Sequence, residues 1–329
     1  MNIIKPNGIV RIEKTGPPDV LKYSTITLPQ PGPNEVLIDQ KAIGVNFVDV
    51  FFRNGTFPMP TYPAPVGLEA AGVIEYIGTG VKNFEIGDRV AYHSSAGPGA
   101  YAEKRIVNAS EIFKLPDDIS FNQAASVIVK GLTAHMLLKQ SHEVKAGDVV
   151  LIHAMTGGVG TLLSEWARLL GATVIGTVGS ATKKEIALKR GFEHVVDLQT
   201  EDFAEKVNEV TQRKGVDAVY DGTGEATFQK SVALVKDGGS AVLYGWPSGM
   251  PVVDMEVIER RKIRFVRAVL NNYVADKEKI SKAITALFDL LRSGAFNLQP
   301  PSIYSLADAS RAHADLESRK TTGSIILHP

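Results

Sequence analysis

The chain has 329 residues, and its 36 Lys and Arg residues balance 36 Asp and Glu residues. The length is enough for two domains, and the balanced charge gives no signature of nucleic-acid or membrane binding, so we expect only a small-molecule substrate. Because the chain contains no cysteine, disulfides, thiolate nucleophiles and cysteine-ligated metals are excluded.

Charged residues interrupt the apolar ones at the amino end, and no apolar run approaches the length of a membrane span, so we predict a cytoplasmic protein. The region up to residue 125 is rich in turn residues that separate short strand-like runs. These runs are Gly8–Ile12, Glu35–Lys41, Gly72–Gly78 and Gly87–Tyr92. Short strands at this spacing predict a β-rich, barrel-like domain.

A glycine-dense turn, Met155–Gly160, joins the apolar run Val149–His153 to a helix-like stretch. The N–H groups of such a turn and the positive helix end converge on one point, as the binding of a pyrophosphate requires. The fingerprint has glycine at three positions, and methionine takes the first here, so the turn alone is equally compatible with a plain strand-to-helix corner. A second β-branched run, Thr173–Thr177, completes a strand–helix–strand unit and favours a dinucleotide. The residues expected to hold its pyrophosphate are Gly157, Gly158, Val159 and Gly160.

The end of that second run indicates the type of cofactor. NAD-binding sites place an Asp or Glu there, about 20 residues after the glycines, to bind the ribose 2′-hydroxyl. Here Val178–Lys184 carries hydroxyls and cations but no acid. Ser180 and Lys183 would attract a 2′-phosphate that a carboxylate would repel, so we predict NADP(H). The alternative is that Lys183 is an ordinary solvated residue of the next helix.

From residue 149 onward, strand-like runs alternate with helix-like ones. The further strands are predicted at His194–Val196, Val216–Tyr220, Ser240–Tyr244 and Ile263–Val266. The pattern predicts an α/β fold, a doubly wound parallel six-stranded sheet of the Rossmann type over residues 126–275. Two helices, Lys279–Leu291 and Leu306–Glu317, and a strand, Gly323–Leu327, follow. We expect residues 276–329 to return to the first domain, residues 1–125.

Several motifs, in order along essentially the whole chain, carry a family resemblance. They are Lys41–Asp49, Gly67–Gly72, Gly87–Val90, Lys130–Ala134, Gly157–Gly160 and Leu316–Ser324. The chain resembles the zinc-independent, zeta-crystallin-like quinone oxidoreductases of the medium-chain dehydrogenase/reductase superfamily. The resemblance implies a GroES-like first domain beside the Rossmann domain.

The zinc alcohol dehydrogenases of that superfamily have a Cys and a His at positions that match Asn46 and Leu68 here, so the resemblance implies no metal site. Without a Lewis acid the hydride acceptor must already be electrophilic, as a quinone or a conjugated enone is. We therefore expect an NADPH:quinone reductase. The alternatives are a reductase of α,β-unsaturated ketones or aldehydes and a non-catalytic, crystallin-like NADPH-binding protein.

The resemblance also implies roles for individual residues. Asn46 would orient the nicotinamide or substrate, although it also suits the cap of a helix. For Lys130 and Thr133 it implies contacts to the nicotinamide half of the cofactor or its phosphate. The segment Tyr244–Trp246 ends a predicted strand, where ligands lie in such sheets, so we expect it at the nicotinamide ribose, although its aromatic residues also suit core packing. Arg267 follows the next strand and is expected near the carboxamide. Contacts to the adenosine 2′-phosphate are implied for Gly179, Ser180, Lys183 and Arg319.

The chain departs from the family pattern at a few of these positions. Relatives often carry Tyr where Leu198 stands, which puts one phosphate contact in doubt. They commonly place tyrosines in the substrate mouth where Phe51 and Phe57 stand, and a hydroxyl-free aromatic wall favours a flat, apolar acceptor. Met155 would crowd the ribose if it faced the cofactor.

The apolar strand Ile263–Val266 is a candidate edge for a homodimer.

Overall fold

The computed structural model describes residues 6–329. The strands in chain order are β1 (Pro6–Ile12), β2 (Leu21–Thr27), β3 (Glu35–Val45), β4 (Ala64–Pro65), β5 (Glu69–Ile77), β6 (Arg89–His93), β7 (Lys104–Asn108), β8 (Ile112–Lys114), β9 (Val149–Ile152), β10 (Thr173–Val178), β11 (His194–Asp197), β12 (Val216–Asp221), β13 (Val235–Leu243), β14 (Arg264–Arg267), β15 (Ser302–Ser305) and β16 (Ile325–His328). The α-helices are α1 (Phe47–Asn54), α2 (Phe121–Met136), α3 (Gly158–Leu169), α4 (Ala181–Lys189), α5 (Phe203–Val210), α6 (Phe228–Ala233), α7 (Met255–Arg260), α8 (Leu270–Val274), α9 (Lys277–Arg292) and α10 (Ala309–Glu317). Among residues 6–329, no helix has the length and apolar character needed to cross a membrane.

The first of two compact units runs up to Val129 and includes Gln299–Pro329. Its main sheet has the order β15-β16-β3-β5-β6-β8, and β7 also pairs with β3. Buried side chains of β3, such as Ile38 and Ile43, pack with Tyr92 and Tyr101 in its core. The predicted β-rich first domain is confirmed. Strand β16 runs antiparallel to β3, so a carboxyl-terminal segment completes this sheet.

The second unit is Lys130–Leu298. Within the described residues its sheet is six-stranded and parallel, in the order β11-β10-β9-β12-β13-β14. This is the doubly wound order, in which the strand order reverses beside the first strand, and it confirms the predicted Rossmann sheet. Helix α9 also lies in this unit, since a Cβ on Gly131 of α2 would come within 2.6 Å of the methyl groups of Leu287.

Some strands of the first unit were not predicted because the sequence carries little signal for them. Only Leu21 is buried in β2, and the other residues of that strand are exposed or half-buried. Strands β7, β8 and β15 are short, so their apolar residues form no recognisable alternation. Their positions are fixed by pairing with neighbours that are distant in sequence, such as β3 for β7.

Helices α1 and α10 are joined through a buried arginine. The Arg53 guanidinium donates to both carboxylate oxygens of Glu317, at 2.7 and 2.8 Å, and also lies 3.4 Å from Nδ1 of His313. Nε2 of His313 is 2.9 Å from the Tyr101 hydroxyl, which donates to the carboxylate of Asp49. Burial, aided by the positive charge of Arg53, lowers the pKa of His313 to about 3. The imidazole is therefore neutral in the folded protein at neutral pH.

This depressed pKa predicts a loss of stability in acid. An unfolded His protonates near pH 6.5, whereas folded His313 stays neutral until about pH 3, so the unfolded state binds the extra proton between these values. In His313→Gln, the free energy of unfolding should fall less steeply with decreasing pH, by about 1.4 kcal/mol per pH unit below about pH 6. Urea unfolding of both proteins from pH 8 to pH 5, followed by CD, measures the two slopes. At pH 8, the difference in free energy of unfolding between the two proteins reports only the hydrogen bonds lost with His313. Equal slopes for the two proteins would contradict the lowered pKa of His313.

Candidate functional site

The glycine turn of the second unit connects β9 to α3. Helix α3 begins at Gly158 with Gly157 as its N-cap, and no side chain caps it. Its first N–H groups therefore remain available to an anion at the positive end of the helix. A Cβ on Gly160 would lie 2.1 Å from the carbonyl oxygen of Ala154, so only glycine lets the helix start this close to the turn. Val159 is half-buried beside it.

The end of β10 carries the residues predicted to bind a 2′-phosphate. A Cβ on Gly179 would meet nothing within 4 Å, so its backbone is open to close approach. The Ser180 hydroxyl accepts the N–H of Lys183 at 3.4 Å and caps α4. Leu198, which follows β11, is brought to this point because its N–H donates to the carbonyl of Val178 at 2.9 Å. No carboxylate occurs in residues 178–184, as the sequence indicated.

The end of β13 brings together the predicted nicotinamide-side residues of the sheet. Tyr244 follows the strand directly, and its N–H donates to the carbonyl of Asp221 at 2.9 Å. Burial raises the pKa of Tyr244, so its phenol stays protonated. The Arg267 guanidinium, at the end of β14, lies 4.8 Å from the ring centroid of Trp246, a cation–π contact. Gly245 stands between the two aromatic residues.

Lys130 and Thr133 lie on the carboxyl-terminal half of α2. Their exposed fractions are 4% and 9%. Because a Cβ at Gly131 would collide with Leu287, the close packing of α9 on this part of α2 requires the glycine that lies between the two predicted residues.

Asn46 in the first unit is the N-cap of α1, the alternative that the sequence left open. Its backbone N–H donates to the Asp49 carboxylate at 2.8 Å, which is half of a capping box. Its side-chain Nδ2 donates to Oε1 of Glu69 at 2.8 Å. Glu69 is fully buried on β5, and its other oxygen accepts the N–H of Val129 at 2.7 Å. The asparagine amide is thus oriented by a buried carboxylate.

The predicted aromatic wall is a cluster of phenylalanines on and after α1. The ring centroids of Phe51 and Phe57 are 5.4 Å apart in an edge-to-face arrangement, and Phe47 lies 5.4 Å from Phe51. Phe52 contacts Phe57 from the other side, at 5.6 Å. The rings present apolar surface without hydroxyls to donate a proton.

Arg319 follows the end of α10 in the first unit. It is exposed and has a φ of 58°, a left-handed conformation that is uncommon for a residue with a side chain. Such a residue ends a helix and turns the chain sharply, which fixes the direction in which the following segment leaves α10.

A buried polar network beneath the glycine turn was not predicted. The ring nitrogens of His153 lie 2.9 Å from the Thr177 hydroxyl and 2.7 Å from the Ser231 hydroxyl. Asp221, 3.8 Å away, accepts the Thr227 hydroxyl at 2.7 Å. Burial lowers the pKa of His153 despite this carboxylate, so the ring is neutral. The network joins the ends of β9, β10 and β12.

Within residues 6–329 no group of three His, Cys, Asp or Glu is placed to hold a metal ion.

Comparison with known proteins decides the family. The family model described as "Alcohol dehydrogenase GroES-like domain" matches residues 32–117, and "Zinc-binding dehydrogenase" matches residues 158–289. Quinone oxidoreductase 1 of Escherichia coli (strain K12) is 39% identical, over 97% of this chain and 99% of that protein. The chain belongs to the quinone oxidoreductase family of the medium-chain dehydrogenase/reductases.

Two further comparisons illustrate the range of this family. The crystal structure of the Escherichia coli quinone oxidoreductase complexed with NADPH superimposes with a TM-score of 0.94 and 38% identity, covering 98% of this chain and all of that one. A 2-haloacrylate reductase from a Burkholderia species is 40% identical over 97% of this chain and 98% of its own length. The family thus includes proteins named for quinone and for acrylate reduction.

Glu69 is the residue of the candidate site that sequence reasoning missed. In the sequence it is one residue of the Gly67–Gly72 motif, and a glutamate in a strand gives no signal that it is buried. Its partners, Asn46 and Val129, are 23 and 60 residues away in sequence.

Replacing Asn46 separates its cap from its contact with Glu69. Asn46→Ala should lower the free energy of unfolding by about 1–2 kcal/mol, since it removes the hydrogen bond from the asparagine amide to the buried Glu69 carboxylate. Asn46→Asp keeps a good capping group but places a second carboxylate against buried Glu69. It should therefore lower the free energy of unfolding more than Asn46→Ala does. The difference between the two variants should become smaller in acid. Chemical denaturation at pH 7.5 and pH 5.5 tests this order. If Asn46→Asp is more stable than Asn46→Ala at pH 7.5, repulsion from Glu69 does not determine the stability of variants at position 46.

Proposed function

We propose that this protein is an NADPH-dependent quinone oxidoreductase that works without a catalytic zinc. The observation that carries the proposal is the pairing of an uncapped, glycine-lined helix start with an acid-free end of β10. The similarity to quinone oxidoreductases over nearly the full length, one of them crystallised with NADPH, supports it.

The residues present fit NADP(H). The first turn of α3 offers N–H groups to a pyrophosphate, Gly157 and Gly179 leave room for close approach, and Ser180 and Lys183 offer a hydroxyl and a cation to a 2′-phosphate. When bound, NADPH would supply a hydride. The full set that we propose for binding it is Asn46, Lys130, Thr133, Gly157, Gly158, Val159, Gly160, Gly179, Ser180, Lys183, Leu198, Tyr244, Gly245, Trp246, Arg267 and Arg319. Leu198 contributes only apolar contact.

The chain's own residues position the reactants. We propose that Asn46, oriented by Glu69, directs its amide at the nicotinamide or the acceptor. Phe51 and Phe57 would stack on a flat acceptor, whose oxygens take up the charge that develops on reduction. Because neither ring has a hydroxyl, either water protonates the product oxygen or the acceptor needs no positioned acid.

Independence from zinc rests on the donor set. The positions that carry Cys and His in zinc alcohol dehydrogenases are Asn46 and Leu68, and the whole chain has no cysteine. The Asn46 amide is already hydrogen-bonded to Glu69. A leucine side chain has no atom that can ligate a metal.

A second candidate is reduction of α,β-unsaturated carbonyl compounds. The 40% identity with a 2-haloacrylate reductase favours it, and the hydride again adds to a carbon whose charge delocalises onto oxygen. The non-catalytic alternative predicts NADPH binding without turnover of any acceptor.

Three finer features remain proposals. We propose a homodimer through β14, an edge strand of the second unit's sheet in the part of the chain that the structure describes, since its apolar residues Phe265 and Val266 are only half-buried. Light scattering would give the mass of the assembly. We also propose a cytoplasmic location. Functionally we retain residues 126–275 as the nucleotide-binding domain and 1–125 with 276–329 as the catalytic one.

The proposed function is tested by oxidation of NADPH and NADH with a panel of quinones, enones and 2-haloacrylates. NADPH should be oxidised fastest with a quinone. Ser180→Asp keeps an N-cap for α4 but adds a charge that repels a 2′-phosphate, so kcat/KM for NADPH should fall about tenfold to a hundredfold, the equivalent of about 1.5–3 kcal/mol. NADH oxidation should be unchanged or faster.

Ser180→Asn is the matched control, because it retains the cap without the charge. If kcat/KM for NADPH falls equally in Ser180→Asp and Ser180→Asn, the shape of the side chain and not its charge decides cofactor choice. Enones or haloacrylates turned over faster than every quinone would favour the second candidate, and NADPH binding without turnover would favour the non-catalytic one.

Phe51→Ala tests the aromatic wall. Loss of ring contact worth about 0.5–1.5 kcal/mol should raise the quinone KM about twofold to tenfold and leave the NADPH KM unchanged. Steady-state kinetics with one substrate varied at a time gives both constants. Phe51→Leu, which keeps apolar volume, should fall between the wild type and the alanine variant. Unchanged quinone KM and kcat in Phe51→Ala would contradict a stacking role.

A further inference from the structure

Met155 holds the first position of the glycine turn, where the dinucleotide fingerprint has glycine, yet it is only 1% exposed. Its side chain lies over Gly176 of β10. A Cβ on Gly176 would stand 1.9 Å from the sulfur of Met155 and 2.6 Å from its terminal methyl carbon. The methionine therefore occupies the volume that a side chain on β10 would need.

A second glycine, Gly160 of α3, lies close to the backbone of Met155. A Cβ on Gly160 of α3 would lie 2.9 Å from the Cα of Met155. The Met155 N–H donates to the carbonyl of Thr177 at 3.0 Å. Backbone and side chain are thus held between the strand on one side of the turn and the helix on the other.

The neighbouring residue shows that this turn needs support. Ala154 has a φ of 52°, a left-handed conformation that costs free energy for a residue with a Cβ. Its N–H lies 3.4 Å from the Thr177 hydroxyl, and its carbonyl accepts the N–H of Gly157 at 2.9 Å. The contacts of Met155 with β10 sit next to this strained residue and hold it in place.

We propose that Met155 is a positioning residue for cofactor binding. By packing on Gly176 it fixes the turn, and with it the first N–H groups of α3, relative to the end of β10. Gly179 and Ser180 lie there, three and four residues after Gly176. It sets the spacing between the pyrophosphate and 2′-phosphate subsites. This inference rests on the proposed function, because it assumes that NADPH binds at these two places.

The test measures NADPH dissociation constants by fluorescence titration, with melting temperatures for each variant. Gly176→Ala forces Met155 out of its place and should weaken NADPH binding about tenfold. Met155→Ala alone, which leaves a gap, should weaken it about threefold. The double variant refills part of that gap with the new methyl group and should bind NADPH within about twofold of the wild type. Binding of 2′-AMP, which has no pyrophosphate, should not change in any of them.

Gly239→Ala provides the matched control for stability. A Cβ there would lie 2.7 Å from Val235 and 2.8 Å from the carbonyl of Asp217, a comparable collision in β13 of the same sheet. It should lower the melting temperature without changing the dissociation constant. The inference is overturned if Gly176→Ala binds NADPH as the wild type does, or if the double variant binds no better than Gly176→Ala. Should Gly176→Ala not fold, wild-type affinity in Met155→Ala overturns it. A wild type that binds no NADPH would instead overturn the proposed function, and the inference with it.

Discussion

A side chain at position 160 would collide with the carbonyl oxygen of Ala154, because its Cβ would stand only 2.1 Å away. The start of α3 can approach the end of β9 only because glycine occupies this position. That approach directs the first N–H groups of the helix to the carboxyl end of the sheet. It also leaves Met155 between α3 and β10, so the arrangement of turn, strand and helix follows from one missing side chain.

The fold was largely predictable because its signals are local. Alternating apolar runs and helical periodicity in residues 149–266 indicate a doubly wound sheet, and pairing between parallel strands follows from that topology. In the first unit, strands such as β2 bury almost no side chains, so their sequence does not distinguish them from loops. Only pairing with β1 makes that segment a strand.

The sequence proposes candidate site residues where the relevant chemistry lies in neighbouring positions. The glycine turn and the acid-free end of β10 are short motifs. Other polar contacts join residues that are distant in sequence: His153 contacts a serine 78 residues away, and Asn46 contacts a glutamate 23 residues away. Met155 departs from the fingerprint in the sequence, and the structure places its side chain against Gly176. Such complementary pairs have no periodicity, so a single sequence does not reveal them.

The chemistry of the first unit illustrates how one scaffold changes reaction type. In the zinc-dependent relatives the resemblance places metal ligands where Asn46 and Leu68 stand. Here the buried Glu69 carboxylate accepts N–H groups from Asn46 and Val129. The hydrogen bond to Glu69 therefore orients an amide at a position that corresponds to a metal ligand in those relatives.

The antiparallel pairing of β16 with β3 has a consequence for synthesis of the protein. Strand β3 is central in its sheet, since it also pairs with β5 and β7. The ribosome makes every residue of the second unit before it makes β16. The unit that begins first is therefore completed last, and its sheet keeps an open edge on β3 throughout translation of the Rossmann sheet.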